Sequence, residues 1–347
     1  MSTASTVSPI IQPTQRISVA PMMDWTTRDY RVFARLFNPH IWLYSEMVTT
    51  GAILRGDKNR YLDFDAAEQP LVLQLGGSKP QDLATCSKIA EDWGYAEVNL
   101  NVGCPSDRVQ NNKIGACLMA EPELVADCIT AMQQAVDIPV TVKHRIGIDN
   151  MQSYEEMLHF VDTVAQTGCT HFIVHARIAL LQGLSPKENR DIPPLRYDDV
   201  YRLKTERPHL FIEINGGIQT LDAIHSHLQL MDGVMVGRAA YHDPYLLAQC
   251  MDLWQQPRPD RVDIMQQFIP FIEQRLASGL PLSLISRHIL GLFQNLPGAR
   301  KWRQALSGGN AKTVGDIIHA LAQIQQSIHL SMLENAAYLA EQTTNPA

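Results

Sequence analysis

The sequence contains no unbroken apolar run of the roughly 18 residues that a membrane-spanning helix requires. Residues 1–15 lack both a charged n-region and an apolar h-region, so we expect a disordered tail there and no secretory signal. Acidic residues outnumber basic ones, and the formal net charge of −7 argues against a general nucleic-acid-binding protein. A polyanionic partner would need a local basic patch on an otherwise acidic chain.

Cysteine pairs of the CxxC type are also absent from this 347-residue chain. The spacing of the six cysteines indicates neither a zinc site nor a disulfide framework: Cys86, Cys104, Cys117, Cys128, Cys169 and Cys250. A reducing cytoplasm is the simplest interpretation, and we expect no bound metal. The GxGxxG fingerprint of dinucleotide-binding folds is missing as well.

Short apolar segments alternate with amphipathic helical ones along the first 240 residues or so. Eight of them read as strands: 16–23, 40–48, 70–77, 95–102, 139–147, 171–177, 210–218 and 233–238. This alternation favours parallel strands joined by right-handed crossovers, and eight units predict a closed (β/α)8 TIM barrel over residues 16–250. A doubly wound open sheet is the alternative, because the connection over 51–69 is loop-like.

Strand signals stop after about Asp243, and helical patterns follow over 262–278, 282–293, 299–306 and 314–339. We therefore expect a C-terminal all-α helical domain over residues 262–340. The segment from Trp254 to Arg261, with Pro257 and Pro259, is the expected linker.

One stretch of the predicted barrel ends in an unusual place for a cysteine. Apolar residues alternate with polar ones over 95–102, and a Gly-Cys-Pro turn containing Cys104 follows. Active sites of (β/α)8 barrels lie at the C-terminal ends of the strands. A single cysteine is more often packed in a core than used in chemistry, but a turn at a strand end is not a core position.

Polar residues and glycines stand at almost every other predicted strand end. Gly216, Gly217 and Gly237 with Arg238 predict a phosphate site after strands seven and eight. Without a GxGxxG motif, a mononucleotide such as FMN fits better than NAD. Lys143 is open to three interpretations: a structural ion pair, a Schiff-base lysine, or a cation beside an anionic flavin. His175 contacts either a cofactor or only its barrel neighbours.

Together these motifs resemble the tRNA-dihydrouridine synthases. The resemblance covers residues from about Ile17 to Leu306 and rests on the segments 19–24, 99–105, 143–145, 175–177, 215–217 and 237–238, with Gln74. Two further segments, 184–195 and 298–303, resemble the A subfamily in particular.

The resemblance implies a cytoplasmic protein. It also implies roles for individual residues that the residues alone do not establish. It implies that FMN is held by Pro21, Met22, Met23, Gln74, Lys143, His175, Asn215, Gly216, Gly217, Gly237 and Arg238. It implies tRNA contacts from Asn101, Lys187, Arg190, Arg300 and Arg303, and NADPH as co-substrate. The target is uridine at positions 20 and 20a of the D-loop, and a monomer without a protein partner is expected.

The chemistry expected from such a site is reduction of the uracil C5=C6 bond. Hydride from the flavin N5 adds at C6, and Cys104, on the face of the base opposite the flavin, gives a proton to C5. The uridine must leave its stack to enter the pocket. Short basic clusters, including those at 187–190 and 300–303, could together follow RNA phosphates on an acidic chain.

Three alternatives remain open from the sequence. A flavin barrel could reduce a small free pyrimidine or an enone. A Schiff-base aldolase could use Lys143 as its nucleophile. A degenerate barrel could bind RNA without catalysis, although polar residues at so many strand ends argue against this last possibility.

Overall fold

The barrel is the organising structure of the protein. The computed structural model describes residues 11–12, 14–106 and 113–344, with side chains as far as residue 336. Eight parallel strands pair in chain order: β1 Arg16–Val19, β2 Trp42–Thr49, β3 Leu71–Gly76, β4 Glu97–Val102, β5 Val140–Arg145, β6 His171–His175, β7 Phe211–Asn215 and β8 Gly233–Val236. Because β1 also pairs with β8, the barrel is closed. The predicted (β/α)8 barrel is confirmed, and the open sheet is wrong.

Helices lie between successive strands along the chain, and further helices follow the last strand. They are α1 Arg28–Arg35, α2 Thr50–Arg55, α3 Lys58–Leu62, α4 Pro80–Trp93, α5 Pro122–Ala135, α6 Tyr154–Ala165, α7 Tyr197–Glu206, α8 Leu221–Leu228, α9 Arg238–His242, α10 Tyr245–Gln249, α11 Arg261–Ala277, α12 Leu282–Ile289, α13 Ala299–Leu306 and α14 Val314–Thr344. Ser153 and Glu156 form a capping box at the start of α6, as the spacing of these two residues predicts.

The barrel interior contains a column of paired polar side chains. At the N-terminal ends of the strands, Arg16 Nη2 lies 2.7 Å from Glu97 Oε2, and Glu97 is only 2% exposed. Thr141 donates to Glu97 over 2.8 Å, and Asn99 donates to Thr141 over 2.9 Å. Buried charges persist only when they are paired. The column therefore leads by hydrogen bonds from the lower end of the barrel toward the upper ends of β3 and β4.

A depression of about 780 Å³ opens at the lower end, where the strands begin. Arg16, Trp42, Glu97 and His171 are among its lining residues, and Arg16 lies over the Trp42 ring at 3.6 Å. Arg16 is within 3.2 Å of His171 Nδ1 as well as paired with Glu97. Because these polar groups already bind one another, this end of the barrel contributes to stability.

The chain divides into two compact units at Ala239. One unit contains the chain up to Arg31 and His40–Ala239, and the other contains Val32–Pro39 and the chain from Ala240 onward. The division precedes the expected limit at residue 250, because residues after Ala240 bind within the helical unit. Tyr241 Oη lies 3.2 Å from His288 Nδ1, and Asn38 donates to the carbonyl oxygen of Leu247 over 3.2 Å.

The expected tail is ordered where it is described. Residues 1–10 and 13 lie outside the described residues. Ile11 is buried, and the Gln15 amide donates to the carbonyl oxygens of Leu228 and Met231 over 2.6 and 3.1 Å. Contacts with the barrel therefore begin before β1.

The helical unit has an aromatic core of its own. The rings of Phe33 and Phe268 lie 5.0 Å apart, and those of Phe293 and Trp302 lie 4.9 Å apart. The Trp302 indole donates to the carbonyl oxygen of Ile289 over 2.9 Å, which satisfies its polar atom inside the core. In the described part of the chain, no helix has the length and apolar character to cross a membrane.

Candidate active site

Most of the residues that the sequence predicted for the cofactor lie at the upper end of the barrel. Gln74 lies in β3, Lys143 in β5, and His175 and Asn215 are the last residues of β6 and β7. Gly237 follows β8 directly, and Arg238 begins α9. Pro21 to Met23 continue from β1, with Met23 exposed. Since parallel strands end together at one edge, these side chains share one mouth.

Cys104 lies in a turn that is fixed on both sides. The side-chain oxygen of Asn101, the residue before the end of β4, accepts the backbone N–H groups of Gly103 and Cys104 over 3.1 and 3.0 Å. The carbonyl oxygen of Cys104 accepts the N–H of Ala116 over 2.8 Å. Residues 107–112 of the expected polar loop lie outside the described residues. The thiol therefore stands on a backbone whose two flanks are hydrogen-bonded.

Burial raises the pKa of the Cys104 thiol above its usual value, and the nearby charge of Arg145 acts in the opposite direction. The thiol is half-buried, as is Cys117, whereas the other four cysteines are buried. A cysteine with a raised pKa keeps its proton at neutral pH. This state suits a thiol that donates a proton better than one that attacks as a nucleophile.

Gly115 closes the Cys104 turn, and its replacement is expected to be costly. Gly115 has φ +85, and a Cβ there would lie 2.4 Å from the Cys104 carbonyl oxygen. We expect Gly115→Ala to lower the free energy of unfolding by about 3 kcal/mol, measured by urea denaturation. Gly168→Ala is the matched control, because Gly168 has φ +89 with nothing within 4 Å, and about 1 kcal/mol is expected there. Equal losses in the two variants would contradict the close-contact explanation.

An amide ladder connects Cys104 to the polar column below it. The Asn101 amide donates to Gln74 Oε1 over 2.7 Å, and the Gln74 amide donates to Asn99 Oδ1 over 2.8 Å. Asn99 then donates to Thr141 in the column already described. Asn101 and Gln74 are both buried, at 8% and 1% exposure. The sequence assigned these two residues to the tRNA and the cofactor, and the structure shows that each also holds the other.

Lys143 reaches the mouth with a neutral amide as its hydrogen-bond partner. Its ammonium donates to Asn215 Oδ1 over 3.1 Å, and the Asn215 amide donates to the Met235 carbonyl oxygen over 2.8 Å. Burial, followed by the positive charge of Arg145, lowers the pKa of Lys143 to about 7. Burial and the surrounding cations also hold the pKa of His175 well below its usual value, so His175 is neutral. An anion placed here would relieve the accumulated positive charge.

Glycines after β7 allow another group to approach the backbone closely. Gly216 has φ +115, and a Cβ there would lie 2.7 Å from the His175 ring. Gly217 also has positive φ, at +71, and is exposed. At Gly237 a Cβ would meet nothing nearer than 3.9 Å. Two glycine turns beside buried cations form a cradle in which backbone N–H groups can bind a phosphate.

Arg238 is not free in the structure, although the sequence assigned it to the phosphate. It makes a forked ion pair with Asp191, at 2.5 and 3.2 Å. Asp191 follows Arg190 on the loop between β6 and α7, and the pairing lowers the pKa of the Asp191 carboxyl. Arg238 therefore connects the end of β8 to the loop that carries two of the predicted RNA-binding residues.

Two residues outside the predicted set of site residues, Arg145 and Asn189, organise this loop. Arg145 donates to the carbonyl oxygens of Gly103, Ile178 and Asn189 over 2.9, 3.0 and 2.9 Å. Asn189 is fully buried, and its amide accepts from Leu180 N–H over 2.8 Å and donates back to the Leu180 carbonyl over 2.8 Å. The available signal was an arginine at the end of a largely buried strand, since a buried charge must be hydrogen-bonded.

The remaining predicted RNA-binding residues lie on the surface of the two units. In the barrel unit, Lys187 and Arg190 are exposed on the loop that Asn189 organises. In the helical unit, Arg300 and Arg303 are exposed on α13, and Arg303 donates to Gln294 Oε1 over 2.9 Å. Four exposed cations on an acidic chain give each unit a local basic surface.

Comparison with known proteins places these features in a family. Residues 18–329 match the family model described as dihydrouridine synthase. A tRNA-dihydrouridine(20/20a) synthase of Synechocystis sp. is 57% identical over 84% of this chain and 88% of its own length. The enzyme of the same name from Pseudomonas putida is 55% identical over 95% of this chain and 97% of its own. That of Shewanella oneidensis is 56% identical over 91% and 95%.

A solved structure supports the fold alone. The complex of 2-naphthoyl-CoA reductase with 2-naphthoyl-CoA matches with a TM-score of 0.53 at 11% identity, covering 68% of this chain and 50% of that chain.

Proposed function

The chain belongs to the dihydrouridine synthase family, and from that premise we propose that it reduces uridines 20 and 20a of the tRNA D-loop to 5,6-dihydrouridine. The observation that carries the proposal is the half-buried Cys104 thiol at the upper end of β4, beside a cationic mouth. The site requires FMN and uses NADPH as co-substrate. We further propose that the enzyme acts in the cytoplasm as a monomer.

The residues at the mouth fit FMN. The cradle at Gly216, Gly217 and Gly237 leaves backbone N–H groups open to a phosphate. Lys143 supplies a cation whose hydrogen-bond partner is a neutral amide, as the anionic ring of a reduced flavin requires. The remaining proposed contacts are Pro21, Met22, Met23, Gln74, His175, Asn215 and Arg238. When bound, FMN supplies the hydride that adds to C6 of the uracil.

Cys104 supplies the proton that completes the reduction. Its Sγ–H bond breaks as a C–H bond forms at C5, and the sulfur is left as a thiolate. Because burial raises the thiol pKa, the proton is present at neutral pH before the reaction. The positive charge of Arg145 favours the thiolate that remains, and solvent returns the proton. The neutral His175 adds no further charge to the mouth.

The tRNA is bound by cations on both units. Lys187 and Arg190 contact it from the barrel unit, and Arg300 and Arg303 from α13 of the helical unit. Contacts of this kind fix position through phosphates and are weakened by salt. The target uridine enters the mouth only when it leaves its stack.

Removing the α13 cations tests the RNA contacts. We expect Arg300→Ala and Arg303→Ala each to weaken tRNA binding by about three- to tenfold and to lower the salt-dependence slope by about 1. The flavin absorption spectrum should not change, because neither residue is among the proposed FMN contacts. Fluorescence anisotropy with labelled tRNA at several salt concentrations is the measurement.

Lys88→Ala is the control for the α13 variants. Lys88 is exposed on α4 and pairs with Glu91 and Asp92, each over 2.8 Å. Its loss changes the net charge by the same amount as the loss of Arg300. Equal effects of Lys88→Ala and Arg300→Ala on tRNA affinity would remove α13 from the binding surface.

The function itself is tested on the purified protein. The purified protein should be yellow, with a flavin absorption spectrum that NADPH bleaches in the absence of oxygen. The reduced flavin should then be reoxidised faster by tRNA than by free uridine. Mass spectrometry of the tRNA should then show the addition of two hydrogens at positions 20 and 20a. A colourless protein, or reoxidation by free uridine as fast as by tRNA, would overturn the proposal.

A further inference from the structure

We propose that Asn101 is a positioning residue for the Cys104 thiol, and that its side-chain oxygen holds the catalytic turn and does not read the uracil edge. The inference rests on the proposed function, since it concerns how the proton donor is placed. It concerns the chain's own residues, so part of its test needs neither substrate nor turnover.

The acceptor capacity of Asn101 is fully used by the turn. An amide oxygen has two lone pairs. Asn101 Oδ1 accepts from Gly103 N–H over 3.1 Å and from Cys104 N–H over 3.0 Å. To accept the N3–H of a uracil as well, it would have to release one of these bonds. The loss would free the backbone on which the sulfur stands.

The direction of the Asn101 amide is fixed by the ladder below it. The Glu97 carboxylate, paired with Arg16, can only accept, so Thr141 must donate to it. The Thr141 oxygen then accepts from the Asn99 amide. The next two links follow the same direction, from the Gln74 amide to Asn99 Oδ1 and from the Asn101 amide to Gln74 Oε1.

Both ends of the ladder specify the same direction. One end is a carboxylate without a proton to give, and the other is a pair of backbone N–H groups without an acceptor of their own. Reversing the amides would place the Asn101 NH₂ against those two N–H donors and would leave Glu97 without the Thr141 donor. A connected network of this kind has one arrangement in which every group is satisfied. The oxygen of Asn101 therefore faces Cys104.

Arg145 completes the support of the turn from the opposite side. It donates to the Gly103 carbonyl oxygen, while Asn101 accepts the Gly103 N–H. The residue preceding the cysteine is thus held at both its backbone groups. Cys104 itself is held by Asn101 at its N–H and by Ala116 at its carbonyl. The backbone on both sides of the thiol is therefore fixed by hydrogen bonds.

The first test measures Cys104 in the holoenzyme without tRNA. The rate of alkylation by iodoacetamide is followed across pH by mass spectrometry of the Cys104 peptide, with the half-buried Cys117 as reference in the same sample. Asn101→Ala should open the turn, expose the thiol and move the alkylation midpoint down by about one pH unit. Asn101→Asp should keep the two accepted bonds and move the midpoint up, because a carboxylate disfavours the thiolate.

Opposite shifts separate positioning from general damage. If the two substitutions merely loosened the fold, the Cys104 alkylation midpoint would move in the same direction in Asn101→Ala and Asn101→Asp. The alkylation midpoint of Cys117 would move as well. Shifts of the same sign, or an unchanged Cys104 profile in Asn101→Ala, would overturn the proposal. The alkylation measurements do not depend on whether the enzyme reduces tRNA. Failure of the proposed function would be recognised separately, because the wild-type protein would then form no dihydrouridine.

The second test compares product formation in the same variants. If Asn101 positions the thiol, Asn101→Ala should lower kcat by at least about tenfold, and Asn101→Asp should retain more activity than Asn101→Ala because the turn is kept. If the main role of Asn101 were instead to donate its second amide N–H to a uracil oxygen, aspartate should be no better than alanine, since a carboxylate repels that oxygen. Equal or lower activity of Asn101→Asp would therefore also overturn the proposal.

Discussion

Cys104→Ala is expected to abolish dihydrouridine formation while the protein keeps its FMN and its reduction by NADPH. The thiol is the proton donor in the proposed reaction, and its proton is retained at neutral pH because burial raises its pKa. A positioned general acid contributes about 10²- to 10⁴-fold to a rate. The substitution should therefore slow the reduction of uridine in tRNA and leave the rate of flavin reduction by NADPH unchanged.

Two measurements on the same sample distinguish these steps. Anaerobic stopped-flow absorbance gives the rate of flavin reduction by NADPH, and mass spectrometry gives dihydrouridine in tRNA after a single turnover. Cys117→Ala is the matched control, because Cys117 is the other half-buried cysteine of the described residues. We expect its product formation to stay within about twofold of the wild type. Full product formation in Cys104→Ala would refute the assignment of the donor.

Lys143→Met is expected to weaken FMN binding by about 10- to 100-fold and to remove its dependence on pH. A charge-assisted contact is worth about 1.5–3 kcal/mol, which corresponds to this range. The lysine is the candidate because its ammonium reaches the mouth and donates to the neutral Asn215. Equilibrium titration of reduced FMN, whose ring is anionic, into the cofactor-free protein without oxygen measures the effect.

The sign of the pH dependence follows from the lowered pKa of Lys143. That pKa is about 7, well below the usual 10.5 for lysine. An anion bound beside the amine favours its charged form and raises the pKa. Above pH 7, binding must therefore take up a proton, and FMN affinity should fall as pH rises from 7 to 9. Calorimetry in buffers of different ionisation enthalpy should detect the proton uptake.

Lys143→Arg is the control for the pH effect. Arginine keeps its charge throughout this range, so binding should remain measurable with no proton uptake. A wild-type affinity that is constant from pH 7 to 9, or equal uptake in Lys143→Met, would show that Lys143 does not meet the anion. The Schiff-base alternative makes a different prediction, namely trapping of a carbonyl substrate on Lys143 by borohydride.

The barrel could be predicted from the sequence because each strand carries its own local signal. Segments such as 70–77 are apolar almost throughout, and β3 is buried on both faces as that pattern predicts. Closure could not be predicted in the same way, because pairing of β1 with β8 joins residues more than 200 positions apart. The count of eight units made a barrel the better prediction but did not exclude an open sheet.

The division between the units was harder to predict for a similar reason. The helices α9 and α10 follow β8 directly, as the final helix of a barrel would, and their sequence does not say what they pack against. Hydrogen bonds such as that between Tyr241 and His288 assign α10 and the part of α9 from Ala240 onward to the helical unit. A helical pattern identifies an apolar face and leaves its partner unspecified.

Within the site, side chains at strand ends were predictable and their partners were not. Cys104, Lys143 and the glycine turns stand out because their residue types are unusual where they occur. Arg145 and Asn189 act through backbone carbonyl oxygens, which no residue type reveals. The pairing of Arg238 with Asp191 depends on where a loop returns, and that is set by tertiary structure alone.

The burial that keeps a proton on Cys104 has a consequence for chemical damage. Peroxide and disulfide reagents attack the thiolate, so a sulfur held in its protonated form is oxidised slowly. The remaining cysteines are at least half-buried, and burial raises the pKa of each of them as well. A protein built in this way gains resistance to oxidants from the same feature that makes its central thiol an acid.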